Sequence, residues 1–357
     1  MKVLSVVGAR PQFVKLAPIA EAFAGAGVDH VIVHTGQHYD SAMSDVFFED
    51  LRIPAPDVSL GIGSASHGVQ TGAMLSAIEP VLQRETPDWV LVYGDTNSTL
   101  AGALAAVKLH LPVAHLEAGL RSFNRRMPEE HNRILTDHAA DLLLAPTQVA
   151  LGHLQDEGLD ARAVLVGDVM VDVCLRVARA VDHDDVASIH GDLRAGQYVA
   201  TTVHRAENTD DPERLRLLLA TLKALPIPVV LPVHPRLRDR AAAAGVDLSG
   251  GSLLPIDPLP YPGMVLLVSR ARAVVTDSGG LQKEAYVLGV PCTTLRSETE
   301  WVETLNNDWN VLAPKGAKLI TVALRVAPVQ PRTPYFGTGD AAGVVAKVVA
   351  ERARWVR

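Results

Sequence analysis

Cysteine is nearly missing from this chain: Cys174 and Cys292 are the only two in 357 residues. Two thiols cannot form a disulfide framework, so an ordinary apolar core must hold the fold. They read as buried thiols of a reducing compartment rather than as redox or nucleophilic groups. No apolar run approaches membrane-spanning length. The opening strand, Val3 to Val7, is interrupted too soon by Gly8 and Arg10 to be a signal peptide. Positive charge is not in excess either. The formal net charge of -7 argues against a nucleic-acid platform and leaves any phosphate site local. No His, Cys, Asp and Glu cluster has metal spacing: His34 and His38 are four apart, but Gly36 breaks a helix there. The expectation is a soluble, cytoplasmic protein with no structural metal, no nucleic-acid partner and no membrane contact.

The length exceeds one ordinary core, so two domains are expected. A hydrophobic content of 48% with 20% charged residues suits globular folding. Short β-branched runs alternate with helix-length amphipathic stretches. Val3–Val7, His30–Val33, Trp89–Val92 and Val113–Leu116 read as buried strands, with helical patterns over Leu16–Ala24 and Ser98–Lys108. A second series runs through Tyr198–Thr202, Val229–Val233, Ala273–Thr276 and Cys292–Leu295. Repeated strand, loop and helix predicts α/β architecture, parallel sheets covered on both faces. The expected domains are 1–167 and 168–339. A terminal helix over 340–357, capped by Asp340 and apolar at Val344, Val345, Val348 and Val349, is expected to pack back on the first. Gly61–Gly68 is a Gly/Ser-rich loop, either a lid or a long connection.

Ligands of open parallel sheets bind beyond the carboxyl ends of the strands, so the loops there matter most. Gly8-Ala9-Arg10-Pro11 opens a helix, and Arg10 and Lys15 add positive charge suited to a diphosphate. The bland alternative makes Arg10 a structural ion pair and Lys15 a surface residue. In Tyr93-Gly94-Asp95-Thr96-Asn97, Asp95 is read first as a helix cap, with Thr96 or Asn97 as caps that would free it for catalysis. Glu117 ends an apolar strand, where a carboxylate has few structural reasons to be. Glu129 follows Pro128 and also fits first-turn dipole compensation. Arg121, Arg125, Arg126 and Arg133 supply partners. His204-Arg205 after one strand and His234 after the next suit phosphate contact, though a lone loop histidine is more often structural. Thr276-Asp277-Ser278-Gly279-Gly280 ends a strand and starts a helix: Ser278 caps, and Gly279 and Gly280 expose backbone donors to an anion. Glu284, more than one turn along, is placed to bind a sugar diol.

Taken in order, Gly8-Ala9-Arg10-Pro11, Thr35-Gly36-Gln37-His38, Gly94-Asp95-Thr96, His115-Leu116-Glu117-Ala118-Gly119-Leu120-Arg121, Pro128-Glu129-Glu130, His204-Arg205 and Asp277-Ser278-Gly279-Gly280 resemble the motifs of the non-hydrolysing UDP-N-acetylglucosamine 2-epimerases over nearly the whole chain. The resemblance implies two Rossmann-like doubly wound domains facing a cleft, GT-B-like, in a homodimer without nicotinamide cofactor or required metal. It implies C2 inversion of a UDP-N-acetylhexosamine by elimination of UDP, a glycal intermediate and re-addition. Asp95, Glu117 and Glu129 then match the acid/base carboxylates and His204 a histidine near the diphosphate. Arg10, Lys15 and Arg133 match substrate-site cations. Ser278, Gly279 and Gly280 match the diphosphate cradle, Glu284 the ribose ligand and His234 a nucleotide-sugar contact. Two departures stand out. In Glu298-Thr299-Glu300-Trp301-Val302-Glu303, Trp301 replaces an arginine, and the segment is similar to that of relatives acting on UDP-diacetamido uronic acids. The segment after His38 differs from that of relatives activated by a second UDP-sugar. The alternatives are therefore a 2-epimerase of such a uronic acid, or a GT-B glycosyltransferase.

Overall fold

The computed structural model describes residues 1–37, 53–314 and 323–352. His38, the side chain of Arg10 and the last five residues of the expected terminal helix lie outside the described residues. The chain divides into two compact units, Met1–Val173 with Tyr335–Arg357, and Cys174–Pro334.

The first unit is a parallel sheet of β1 (Lys2–Val7), β2 (Asp29–His34), β3 (Val58–Ser59), β4 (Trp89–Tyr93), β5 (Val113–Leu116), β6 (Leu142–Ala145) and β7 (Ala163–Leu165). Their spatial order is β3-β2-β1-β4-β5-β6-β7. Helices α1 (Arg10–Gly25), α2 (His67–Glu85), α3 (Asn97–Lys108), α4 (Pro128–Ala139) and α5 (Gln148–Asp156) connect them. The central strand β4 is buried without a break from Trp89 to Tyr93. Helices cover both faces of such a sheet, so it needs no polar side. Helix α6 (Val169–Ala180) runs through the division between the units.

The second unit repeats the plan. Strands β8 (Val199–Thr202), β9 (Val229–Pro232), β10 (Leu253–Ile256), β11 (Ala273–Thr276), β12 (Cys292–Thr294) and β13 (Asn310–Leu312) form a parallel sheet in the order β10-β9-β8-β11-β12-β13. Its helices among the described residues include the short α7 (Ala206–Thr209), then α8 (Pro212–Lys223), α9 (Pro235–Ala243), α10 (Tyr261–Ser269) and α11 (Gly279–Leu288). One core packs Val199, Leu215, Leu219, Leu231 and Val275; another packs Tyr198, Ala200, Leu267, Val274 and Cys292. Helix α12 (Ala341–Arg352) returns to the first unit and packs on α1. Asp172 on α6 accepts the Ala341 and Ala342 N–H groups at its start, at 3.0 and 2.7 Å.

Both sheets are therefore doubly wound and Rossmann-like. Strand order reverses between β1 and β4 in one unit, and between β8 and β11 in the other. Loops leaving those strand ends splay apart and leave space for a ligand. Both cysteines are buried as free thiols. No described helix is long and apolar enough to cross a membrane. One loop is shorter than expected: His67 and Gly68 already belong to α2.

Candidate active site

In the first unit the loops after β1, β4 and β5 converge. Gly8 must be glycine: a Cβ there would stand 1.9 Å from Thr35 Oγ1. The helix start that follows is less open than expected. Gln12 Oε1 accepts the Gly8 and Ala9 N–H groups, at 2.8 and 3.0 Å, and its Nε2 donates to the Tyr93 carbonyl. One turn on, Lys15 is buried with its ammonium 2.6 Å from Glu117 Oε1. Both face the Gly94 turn: a Cβ on Gly94 would lie 3.2 Å from Lys15 Nζ and 3.5 Å from Glu117 Oε1.

The sequence favoured Asp95 as a cap, and the structure corrects this. Thr96 is the N-cap of α3, accepting the Thr99 N–H. Its neighbour is released, and Asp95 pairs instead with Arg133 Nη2. Asn132 Nδ2 donates to the Asp95 carbonyl at 3.0 Å. Glu117 has φ +71, a left-handed backbone that a residue with a Cβ adopts at a cost. Such strain persists where surrounding structure enforces it, and it gathers at functional sites.

Glu129 and Glu130 separate sharply. Glu129 is exposed in the first turn of α4, whereas Glu130 is buried. Glu130 accepts from the Ser122 N–H and hydroxyl, the Phe123 N–H and Arg133 Nη1. Burial pushes its carboxyl upward, but these donors outweigh burial and hold it below the usual value. Arg133 thus bridges Asp95 and Glu130. Sequence reasoning missed Glu130, Asn132 and Asp137, all turned inward on α4.

In the second unit the site forms at the β8/β11 reversal. Asp277, fully buried, accepts the His204 N–H at 3.0 Å, the Arg205 N–H at 3.0 Å and Asn208 Nδ2 at 3.0 Å. Its other oxygen lies 3.3 Å from His204 Nδ1. The next residue, Ser278, caps α11 through the Leu281 N–H. One carboxylate thus ties the loop after β8 to the start of α11. Among the described residues the Gly279 and Gly280 N–H groups and the Arg205 guanidinium meet no protein partner. A Cβ on Gly279 would come 2.4 Å from Glu300 Oε1 and 3.7 Å from Arg205 Nη2, so a side chain there would displace the Glu300 carboxylate. Free backbone donors beside a guanidinium form an anion cradle.

His234 joins this group, its ring centroid 5.3 Å from that of His204. It is exposed, and it caps α9 through the Arg236 N–H. Glu284 accepts from Tyr261 Oη at 2.9 Å. Trp301 is buried, with Lys283 Nζ 4.0 Å from its ring centroid, a cation–π contact. An arginine in its place would set two cations together.

The model of the UDP-N-acetylglucosamine 2-epimerase family matches residues 21–350. A UDP-2,3-diacetamido-2,3-dideoxy-D-glucuronate 2-epimerase of Pseudomonas aeruginosa is 47% identical, covering 98% of this chain and 100% of that protein. A UDP-N-acetylglucosamine 2-epimerase of Methanocaldococcus jannaschii is 40% identical over 91% of this chain and 92% of its own. The crystal structure of the M. jannaschii UDP-GlcNAc 2-epimerase with UDP-GlcNAc and UDP matches with a TM-score of 0.86 at 38% identity, covering 98% of this chain and 100% of that one. Matched in sequence and fold along nearly its whole length, this chain belongs to the UDP-N-acetylglucosamine 2-epimerase family.

Proposed function

We propose that the protein is a non-hydrolysing 2-epimerase that interconverts UDP-N-acetylglucosamine and UDP-N-acetylmannosamine. The observation that carries this is the pairing of Asp95 and Glu117 on adjacent strand-end turns, each beside a cation, in a chain whose other unit holds an anion cradle. A transferase needs cations to release UDP; it does not need two carboxylates placed this way.

The C2 hydrogen of an N-acetylhexosamine is not next to a carbonyl, so direct removal is beyond a carboxylate. Breaking the C1–O bond to UDP first develops an oxocarbenium ion and acidifies that hydrogen. A carboxylate then takes the proton, giving a glycal. Protonation from the opposite face and re-addition of UDP complete the inversion. Two faces require two acid/base groups, drawn from Asp95, Glu117 and Glu129. The departing diphosphate gains negative charge, which His204, Arg205 and the Ser278-Gly279-Gly280 start of α11 stabilise, with Arg10 and Lys15 as further cations. Arg133 holds Asp95, Glu284 binds the ribose and His234 contacts the nucleotide. No hydride moves, so the route uses no redox cofactor. The active form is a cytoplasmic homodimer.

A second reading takes a UDP-diacetamido uronic acid as substrate. Trp301 in its Glu-Thr-Glu-Trp-Val-Glu segment and the 47% identity to the P. aeruginosa enzyme favour it. One experiment tests both: incubation with each UDP-sugar in heavy water, following C2 by NMR. Deuterium at C2 with UDP retained supports elimination and re-addition and shows which sugar is accepted. Release of free sugar means hydrolysis. No exchange with either sugar sinks the proposal.

A further inference from the structure

Beneath the carboxylate-bearing turns of the first unit runs a line of buried polar groups that the chemistry above leaves unused. His115, on β5, is fully buried. Its Nε2 lies 2.6 Å from the Gly94 carbonyl oxygen and its Nδ1 2.7 Å from Asp137 Oδ1. A carbonyl oxygen only accepts, so Nε2 donates. The second oxygen of Asp137 accepts the Gly119 N–H at 3.1 Å and Arg121 Nη1 at 2.7 Å. Burial pushes the Asp137 carboxyl upward, but His115 and Arg121 outweigh it and hold the group below its ordinary range. Asp137 thus holds His115 with one oxygen, and Gly119 and Arg121 with the other. Arg121 extends the line outward with two bonds to Glu157, at 2.7 and 2.8 Å.

Each branch ends on a turn that matters. Gly94, with φ +64, directly precedes Asp95. Gly119, with φ +82, closes the turn that the strained Glu117 opens. Asp137 shares α4 with Arg133, the partner of Asp95. Apolar side chains would fill this interior at less desolvation cost. They would not fix the direction of a carbonyl or an N–H. A fully satisfied polar network does so, and holds one arrangement.

We propose that His115, held by Asp137, is a positioning residue that sets the Asp95 and Glu117 carboxylates relative to each other, through the Gly94 carbonyl and the Gly119 N–H. This rests on the reading of those carboxylates as acid/base groups. Misplacement by about an ångström costs on the order of 10²-fold in rate.

The test uses the full chain carrying His115→Gln or Asp137→Asn, with whichever UDP-sugar exchanges at C2 in the wild type. The expected result is a kcat lower by about 10²-fold with an unchanged dissociation constant for UDP, measured on protein shown by circular dichroism to be folded. Wild-type kcat in both folded variants overturns the proposal. A loss of turnover that only tracks the unfolded fraction overturns it too. Absence of C2 exchange in the wild type would instead remove the functional reading, which separates the two failures.

Discussion

The two units share a strand order and carry opposite kinds of site. In the first, charge is matched by charge: Lys15 with Glu117, and Arg133 with both Asp95 and Glu130. In the second, the Gly279 and Gly280 N–H groups and the Arg205 guanidinium have no protein partner among the described residues. Paired charges in a buried site fix geometry at a desolvation cost. Unpaired donors on a half-exposed helix start lose little to water and wait for an anion. On the proposed reading, one topology supports a rigid acid/base frame in one half and a receptor in the other. Chemistry and nucleotide affinity should then respond to different mutations.

If Asp95 and Glu117 are the acid/base groups proposed above, removing either is the strongest way to break that contrast. Glu117→Gln and Asp95→Asn each preserve shape but would then end proton transfer. Turnover is expected to fall by ~10²–10⁴-fold. The dissociation constant of UDP, measured by calorimetry, is expected to hold, because the cradle lies in the other unit. Near-normal turnover in both variants, or UDP binding lost along with turnover, would undo the division.

Much of this was legible in the sequence, and the reasons for the rest are local. Strands such as β4 and β11 are continuous apolar runs, and Ser278 before two glycines announces a capped helix. The strands β3, β6, β7, β10 and β13 went unnamed; each holds at most one β-branched residue, so none shows the Val-rich run that marks β4 or β11. Helix α4 hides its role differently. Its buried face is Glu130, Asn132, Arg133, Thr136 and Asp137, so a search for an apolar stripe reads it inside out. The spacing left the cap of α3 open among Asp95, Thr96 and Asn97; Thr96 takes it, and Asp95 pairs with Arg133 instead. Nothing in the spacing said that Glu130, not Glu129, points inward: adjacent helical positions differ by about 100° in direction, and the packing of the loop over 121–127 selects one.

A control lies away from both sites and concerns the fold alone. His30 on β2 bonds Ser5 Oγ at 2.8 Å and packs edge-on against Phe23. Burial lowers its pKa from 6.5 to about 4, against Asp57 and Asp29, which raise it. Between those values the unfolded chain holds a proton that the folded chain lacks. Its contribution to stability is therefore complete above the unfolded pKa and lost as pH falls through the window, about 3 kcal/mol at most. Urea midpoints at neutral and acid pH should show that fall, and His30→Gln should flatten it. An equal fall in the variant would assign the acid sensitivity elsewhere. Turnover of the wild type can then be corrected for unfolding before the two sites are compared.

The smallest expected effect tests the receptor half. Tyr261 is half-buried, and desolvation together with the neighbouring Glu284 charge pushes its hydroxyl well above the usual range, so it remains a donor and aims the Glu284 carboxylate. If Glu284 binds the ribose, Glu284→Ala should raise the UDP dissociation constant by about tenfold, the worth of one hydrogen bond to a charged group. Glu284→Gln keeps an acceptor for Tyr261 and should do less harm, which separates lost contact from disturbed packing. Saturating substrate should restore turnover in both, because the bond to ribose is the same before and during the reaction. If turnover at saturation fell while the dissociation constant stayed fixed, Glu284 would be acting on the reaction itself. The second unit would then be part of the chemistry rather than only its anchor.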